Sequence, residues 1–340
     1  MKKKQKQKKQ NKWTTIAHYL VIFFVALLPF IIVFGRPAPI RDQEYGISFL
    51  SKHAISLGLD SKEVYLSILE DLGAKRLRLG AYWDAVEPQQ GQYDFSELDW
   101  QLDEAAKNNA KVLLAVGRKL PRWPECFVPN WATQKPLDEQ NKELFNYLKT
   151  VVERYKNHPA VFMWQLENEP FVGWFGDCPK PNAKFLRTEL ALVRSISNKE
   201  VLITDSGELS SWRRAVLFAD RFGTTMYRAT WNPYFGYSTY PLPPAFYRFK
   251  ARLWGLDPAH VVISELQMEP WPPGIPLDLT PIDQQFITMP IERLDKQLIF
   301  AKETGFGDVY FWGVEWWYWL KQNGHPEYWD RIKSLLERKQ

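Results

Sequence analysis

AVFMWQLENEP, residues 160–170, runs from an uninterrupted apolar stretch straight into a Glu-Asn-Glu-Pro cluster. The apolar part reads as a strand. Carboxylates are expensive to bury, so two of them at a strand end demand a reason. Working outward, seven similar short runs recur: GISFL (46–50), RLRLG (76–80), KVLLAVG (111–117), EVLIT (200–204), GTTMY (223–227), HVVISE (260–265) and DVYFWG (308–313).

Helical patterns lie between these runs. In LDEQNKELFNYLKTVVERYKNH, residues Leu144, Leu148, Val151, Val152 and Tyr155 share one face of a 3.6-residue period. SKEVYLSILEDLG does the same with Val64, Ile68, Leu69 and Leu72, and Gly73 sits where a helix C-terminal cap belongs. YWDRIKSLLERK closes the chain with another such segment. Strands alternating with helices imply an α/β fold with parallel strands and crossovers. Eight units in this length predict a closed (β/α)8 TIM barrel. The rival is an open doubly wound sheet, which commonly carries a Gly-rich phosphate loop after its first strand. Here that strand leads into SKHAISLGLD, with neither GxGxxG nor GxxxxGK[ST].

The 340 residues carry a net charge of +5, but the first twelve, MKKKQKQKKQNK, hold seven lysines and no acid. The rest therefore nets −2, and a nucleic-acid partner, which needs a basic patch on the fold itself, is not expected. Ile16 to Phe34 form an apolar stretch of 19 residues, interrupted only by His18 and Pro29. At about 1.5 Å per residue this matches a bilayer core. GRPAPI makes a poor cleavage site, so residues 16–35 read as one transmembrane signal anchor, with a cleaved signal peptide as the alternative. The organisation expected is a cytoplasmic basic tail (1–15), the anchor, a linker (36–43) and an extracytoplasmic barrel domain (44–340). Membrane lipid is the implied partner, and the lysines can meet anionic headgroups.

On a barrel, active-site residues belong at strand C-termini and in the loops that follow. Glu167, Asn168 and Glu169 end the fourth run; Glu265 ends the seventh, with Glu269 four residues later. Strands four and seven lie across the mouth from one another. Two facing carboxylates suit glycoside hydrolysis, where one protonates the leaving oxygen and the other attacks the anomeric carbon or activates water. In an extended strand Glu167 and Glu169 would face the same way, with Asn168 opposite.

NEP after a fourth strand, a Glu ending a seventh and the block RLRLGAYWDAVEPQQGQYDF resemble the glycoside hydrolases of clan A, which include cellulase-like family 5 enzymes and β-galactosidase-type families. The resemblance covers residues 44–340. It implies that Glu169 is the general acid/base, with Glu167 the alternative, and Glu265 the nucleophile, with Glu269 the alternative or else a residue that binds substrate or fixes a loop. It implies that Asn168 bonds the sugar 2-hydroxyl and that Arg78, or Arg76, orients the nucleophile. Tyr227 would bond the nucleophile, and Trp312, or Trp316, would floor the site. A retaining mechanism on β-linked sugars follows from the same resemblance. A transglycosylase would use the same residues; a non-catalytic glycan-binding barrel is the reading outside enzymes.

Aromatic side chains stack on the apolar faces of sugars. The chain has 16 Trp, and Trp123, Trp174, Trp231, Trp271, Trp316 and Trp317 fall in loops on the expected catalytic face, as platforms or as loop packing. Cys126 and Cys178, the only cysteines, fall in the loops after strands three and four. Outside the cytoplasm they can bond; two free thiols are the alternative. Five scattered histidines form no HxH or HExxH pair, so no metal is expected. There is no GxSxG elbow, and hydrolysis by two carboxylates requires no cofactor.

Overall fold

The computed structural model describes residues 43–274 and 276–338, together with Tyr19. The expected tail, anchor and linker, up to residue 42, lie outside the described residues apart from Tyr19. Among the described residues no helix is long and apolar enough to cross a membrane.

Eight parallel strands close into a barrel: β1 (Tyr45–Ser48), β2 (Arg76–Gly80), β3 (Lys111–Val116), β4 (Val161–Leu166), β5 (Val201–Asp205), β6 (Arg221–Met226), β7 (Val262–Gln267) and β8 (Val309–Trp312). Each strand pairs with its sequence neighbour, and β1 pairs with β8 to close the ring. All eight expected runs are strands, displaced by a residue or two at their ends.

Alternation across the strands divides the core. Val112, Leu114 and Val116 of β3 face the helices, in the main hydrophobic cluster. Leu113 faces inward, where it packs with Met163, Leu202, Val262 and Tyr310 from four other strands. The barrel interior is thus a packed layer rather than a pore. Outside, the helix Leu137–Tyr155 buries Leu144, Tyr147, Leu148, Val151, Val152 and Tyr155. Each such side chain contributes about 1.5–3 kcal/mol when fully buried. Asp60 starts the helix Ser61–Glu70 by accepting from the backbone N–H of Lys62 and Glu63, which satisfies two otherwise unpaired donors. The chain ends in the helix Glu327–Glu337.

One expectation differs. RATWNPYFGYSTY, read as a plain loop, folds in part as an antiparallel hairpin pairing Ala229–Asn232 with Gly236–Thr239. Asn232 Oδ1 accepts from the N–H of Tyr234 and Phe235, and Gly236 takes a left-handed φ of +64°. The turn chemistry of Asn and Gly sets this fold-back. It projects from the end of the barrel where the strand C-termini lie.

Candidate active site

Glu265 lies on β7 beside a shift in register: Thr224 pairs with Ile263 but Thr225 pairs with Glu265. Such a bulge re-aims a side chain. Both Glu265 oxygens accept hydrogen bonds, Oε1 from Arg78 Nη1 at 2.8 Å and Oε2 from the Tyr227 hydroxyl at 2.8 Å. This is the arrangement of an ionised carboxylate. Burial, then the Glu265 charge, hold the Tyr227 phenol well above its ordinary pKa, so it stays a donor.

Arg78 is the tie between strands. Its Nε donates to Gln165 Oε1 at 2.7 Å, Nη1 also to the Ser264 carbonyl at 3.2 Å, and Nη2 to Asn168 Oδ1 at 3.1 Å. One fully buried guanidinium thereby fixes β2, β4 and β7 to one another. Asn168 Oδ1 is further engaged by Gln165 Nε2 at 3.2 Å and Thr204 Oγ1 at 3.3 Å. Its amide nitrogen is left facing Glu125 Oε2 at 3.5 Å.

The two Glu residues of the cluster do not face one way as an extended strand would require. β4 stops at Leu166, and Glu167 and Glu169 adopt left-handed φ values of +55° and +44°. Glu167 turns toward the end of β3, where its carboxylate accepts the N–H of Arg118 and Lys119, each at 2.7 Å. It thereby serves the backbone. Glu169 turns toward β6 and accepts from Thr225 Oγ1 at 2.9 Å. Burial, then the charges of Glu265 and Glu125, push the Glu169 carboxyl well above its ordinary pKa, against the pull of Lys119. That environment favours the protonated carboxyl, the form a general acid needs.

Glu269 accepts from both terminal nitrogens of Arg122, at 3.0 and 3.1 Å, and from Trp312 Nε1 at 2.8 Å. The Arg122 guanidinium lies 4.6 Å from the centre of the Trp312 ring. Glu269 thus binds the loop after β3 to the loop after β7, across the mouth.

Cys126 and Cys178 are bonded, with Cα atoms 5.4 Å apart. The bond joins the loops after β3 and β4. Among the aromatics, Trp123 is 65% exposed and Trp174 is also exposed, whereas Trp231 and Trp271 are half-buried. Trp123, Phe175, Trp271 and Tyr227 form a row, with successive ring centres 6.0, 6.2 and 5.3 Å apart. The row runs from the rim to the tyrosine that bonds Glu265. Trp316 and Trp317 are not platforms. Both are fully buried in the helix after β8, where their indoles donate to Gln285 and to the Met268 carbonyl. That helix, Val314–Gln322, packs against the helices Ser51–Ser56, Ser61–Glu70 and Glu327–Glu337, which cover its tryptophans.

Sequence reasoning passed over Glu125, Arg122 and Lys119. All three sit between Arg118 and Cys126, in a loop noted only for its tryptophans and cysteine. Counting carboxylates in each loop of the catalytic face would have found Glu125.

Residues 62–194 match the family Glyco_hydro_42, described as beta-galactosidase. That segment carries Arg78, Glu125, Asn168 and Glu169, and ends before Glu265. Among curated relatives, beta-galactosidase BgaA of Clostridium cellulovorans is 25% identical over 165 residues, 43% of this chain and 25% of that protein. Endo-1,4-beta-xylanase A of Phanerodontia chrysosporium is 32% identical over 120 residues, 33% of this chain and 27% of that protein. The matches thus span about a quarter of those relatives. Among solved structures, xylanase 10B of Thermotoga maritima superposes with a TM-score of 0.56 over 87% of this chain and 95% of that one, at 16% identity, a likeness of fold. A glycoside hydrolase family match, relatives named for cleaving glycosides and a closed eight-stranded parallel barrel together make this chain a relative of the glycosidases.

Proposed function

We propose that this protein is a retaining glycoside hydrolase acting on β-linked sugars by double displacement. The observation that carries the reading is the contrast between two buried carboxylates at the ends of β4 and β7. Glu265 has both oxygens filled by donors, as a nucleophile requires, while burial and the charges of Glu265 and Glu125 favour the protonated form of Glu169, as a general acid requires. In the first step Glu169 gives its proton to the glycosidic oxygen as Glu265 attacks the anomeric carbon and the aglycone leaves as an alcohol. In the second, Glu169, now ionised, takes a proton from water; that water displaces Glu265 and releases the sugar. Asn168 would present its amide to the sugar 2-hydroxyl, and Trp312 would bound the sugar from β8. Trp123, Trp174, Trp231 and Trp271 would act as platforms along the rim. Relatives named beta-galactosidase favour a β-galactoside as the first substrate to offer, with a β-xyloside second.

The catalytic domain would lie outside the cytoplasm, tethered by residues 16–35. The Cys126–Cys178 bond supports this side of the membrane, since cytosolic thiols are held reduced.

The purified full chain should be offered aryl β-galactosides, β-xylosides and β-glucosides beside its Glu265→Ala variant. The variant should lose roughly 10³-fold or more in kcat, and azide should restore turnover with an inverted glycosyl azide as product. A Glu265→Ala variant as active as the parent, or a folded parent that cleaves no member of the panel, would sink the reading.

A further inference from the structure

Glu125 is a third carboxylate of the catalytic centre, and nothing in the two-carboxylate mechanism uses it. It is 4% exposed and lies in the loop after β3. Its Oε2 lies 3.3 Å from Lys119 Nζ and 3.5 Å from Asn168 Nδ2. Lys119 is itself anchored on the carbonyls of Glu169 and Val172, at 3.2 and 3.0 Å. Glu125 therefore lies close enough to both the proposed acid and the proposed nucleophile that its charge acts on Glu169 and is acted on by that of Glu265.

The chain goes to some length to hold it there. Arg122 and Glu125 both take left-handed φ values, +86° and +72°, which residues with a Cβ resist. The next residue is fixed by the disulfide, and Asp177 N–H bonds the Pro124 carbonyl at 3.0 Å. Gly176 lets the loop after β4 pass close by: a Cβ there would come within 2.7 Å of the Glu125 Cβ. Burial pushes the Glu125 carboxyl up to about 7, with only Lys119 and Asn168 to offset it. An ion pair kept only for stability gains little from such a place, where an apolar pair would serve as well.

The position defines what it meets. Arg78 donates to both Glu265 and Asn168, so these two are neighbours on one side of the site. With Glu265 at the anomeric carbon, the adjacent ring carbon, C2, falls toward Asn168. Three donors hold the Asn168 oxygen inward, which leaves its NH2 directed at Glu125. A 2-hydroxyl placed there accepts from Asn168 and has its own proton aimed at a carboxylate.

Resting on the glycosidase reading above, we propose that Glu125 reads the substituent at C2 of the sugar bound against Glu265, requiring a hydrogen-bond donor at that position. The donor is a hydroxyl, or an ammonium in a 2-amino sugar; a 2-deoxy sugar offers none. Bonds to the 2-hydroxyl strengthen in an oxocarbenium-like transition state, so Glu125 acts on kcat as well as on binding.

The test is a cycle between residue and substrate atom. The full chain and its Glu125→Gln and Glu125→Ala variants are assayed with the 2-hydroxy and 2-deoxy forms of the same aryl β-glycoside. Glu125→Ala should lower kcat/KM for the 2-hydroxy substrate about 10- to 100-fold, the weight of a hydrogen bond to a charged group. The 2-deoxy substrate should lose a much smaller factor. Glu125→Gln, which keeps the shape and one acceptor, should fall between. Turnover of the 2-deoxy substrate reports that each variant's site is folded. Equal losses on both substrates, or none on either, overturn the inference and leave Glu125 as a loop anchor. A parent that turns over neither substrate overturns the glycosidase reading, and this inference with it.

Discussion

Arg76 and Arg78 stand two residues apart on β2, on the same side of the strand, at opposite ends of the barrel. Arg76 opens to the N-terminal end, beside a cavity of about 460 Å³. It makes loose ion pairs with Glu44 at 3.6 Å and Asp308 at 3.7 Å, and Asp308 also meets Arg221 at 3.6 Å. Arg78 is sealed in the C-terminal end and spends its donors on Gln165, Asn168, Glu265 and a carbonyl. The rest of the molecule repeats the contrast. Of the six described residues other than glycine with a left-handed φ, four (Arg122, Glu125, Glu167 and Glu169) lie at the mouth. Buried charge and backbone strain are concentrated where chemistry would occur, while the ion pairs at the opposite end are looser and partly exposed. Barrels of this kind separate stability from function along one axis.

The largest expected effect would confirm or break that separation. Arg78→Ala leaves Glu265 buried without its cation and strips Asn168 and Gln165 of a donor. We expect a loss of about 3–5 kcal/mol in stability, the usual cost of halving a buried pair. We expect kcat/KM on an aryl glycoside to fall at least roughly 10³-fold, as several parts of the transition-state site are lost together. Arg76→Ala should cost about 1 kcal/mol or less, as partly exposed pairs do, and leave kcat/KM within about twofold. Urea melts and initial rates on both variants decide it. Comparable losses from the two arginines would mean that the N-terminal end also positions the site.

How much of this was legible beforehand follows the same axis. Periodicity located all eight strands, because β-branched runs between helical patterns leave few alternatives. The Glu-Asn-Glu-Pro cluster and Glu265 were legible because carboxylates at strand ends are rare without a task. What escaped depends on backbone turns and loop packing. Glu167 and Glu169 were expected to face the same way, and two left-handed residues sent them to β3 and β6. Trp316 and Trp317 were left open as platforms or as loop packing, and a helix that begins after β8 buries both. Glu125 and Arg122 stayed hidden because strand periodicity says nothing about a loop whose shape comes from a disulfide and close contacts with the loop after β4.

A smaller effect sharpens the comparison through pH. Glu315, at the mouth end of the helix after β8, is fully buried; its Oε1 accepts the Leu50 N–H at 2.6 Å. Burial pushes its carboxyl from 4.5 up to about 7, with Arg122 opposing. The folded state therefore binds this proton more tightly than the unfolded chain does. The resulting stability is fully present below about pH 4.5 and is lost as pH rises toward 7, to the extent of roughly 3 kcal/mol. Glu315→Gln keeps an acceptor for Leu50 and has no proton to lose. The variant should gain on the parent between pH 5 and pH 8, read as a difference in urea midpoints that widens with pH. A constant difference across that range would mean that Glu315 is ionised in the fold and that Arg122 outweighs burial.

The smallest expected effect lies at the rim. Trp123 presents an exposed ring at the outer end of the row that leads through Phe175 and Trp271 to Tyr227. An exposed tryptophan contributes little to folding, so Trp123→Ala should change stability by no more than about 0.5 kcal/mol. If the ring carries a sugar unit beyond the cleaved bond, its loss should raise KM for a β-linked oligosaccharide about three- to tenfold, the weight of one aromatic stacking contact. The aryl monosaccharide, too short to reach Trp123, should be unaffected. Side-by-side kinetics on the short and long substrates measure the difference directly. A loss on both would place Trp123 over the reacting sugar itself, and the row of rings would then be a roof on the catalytic centre rather than a track leading away from it.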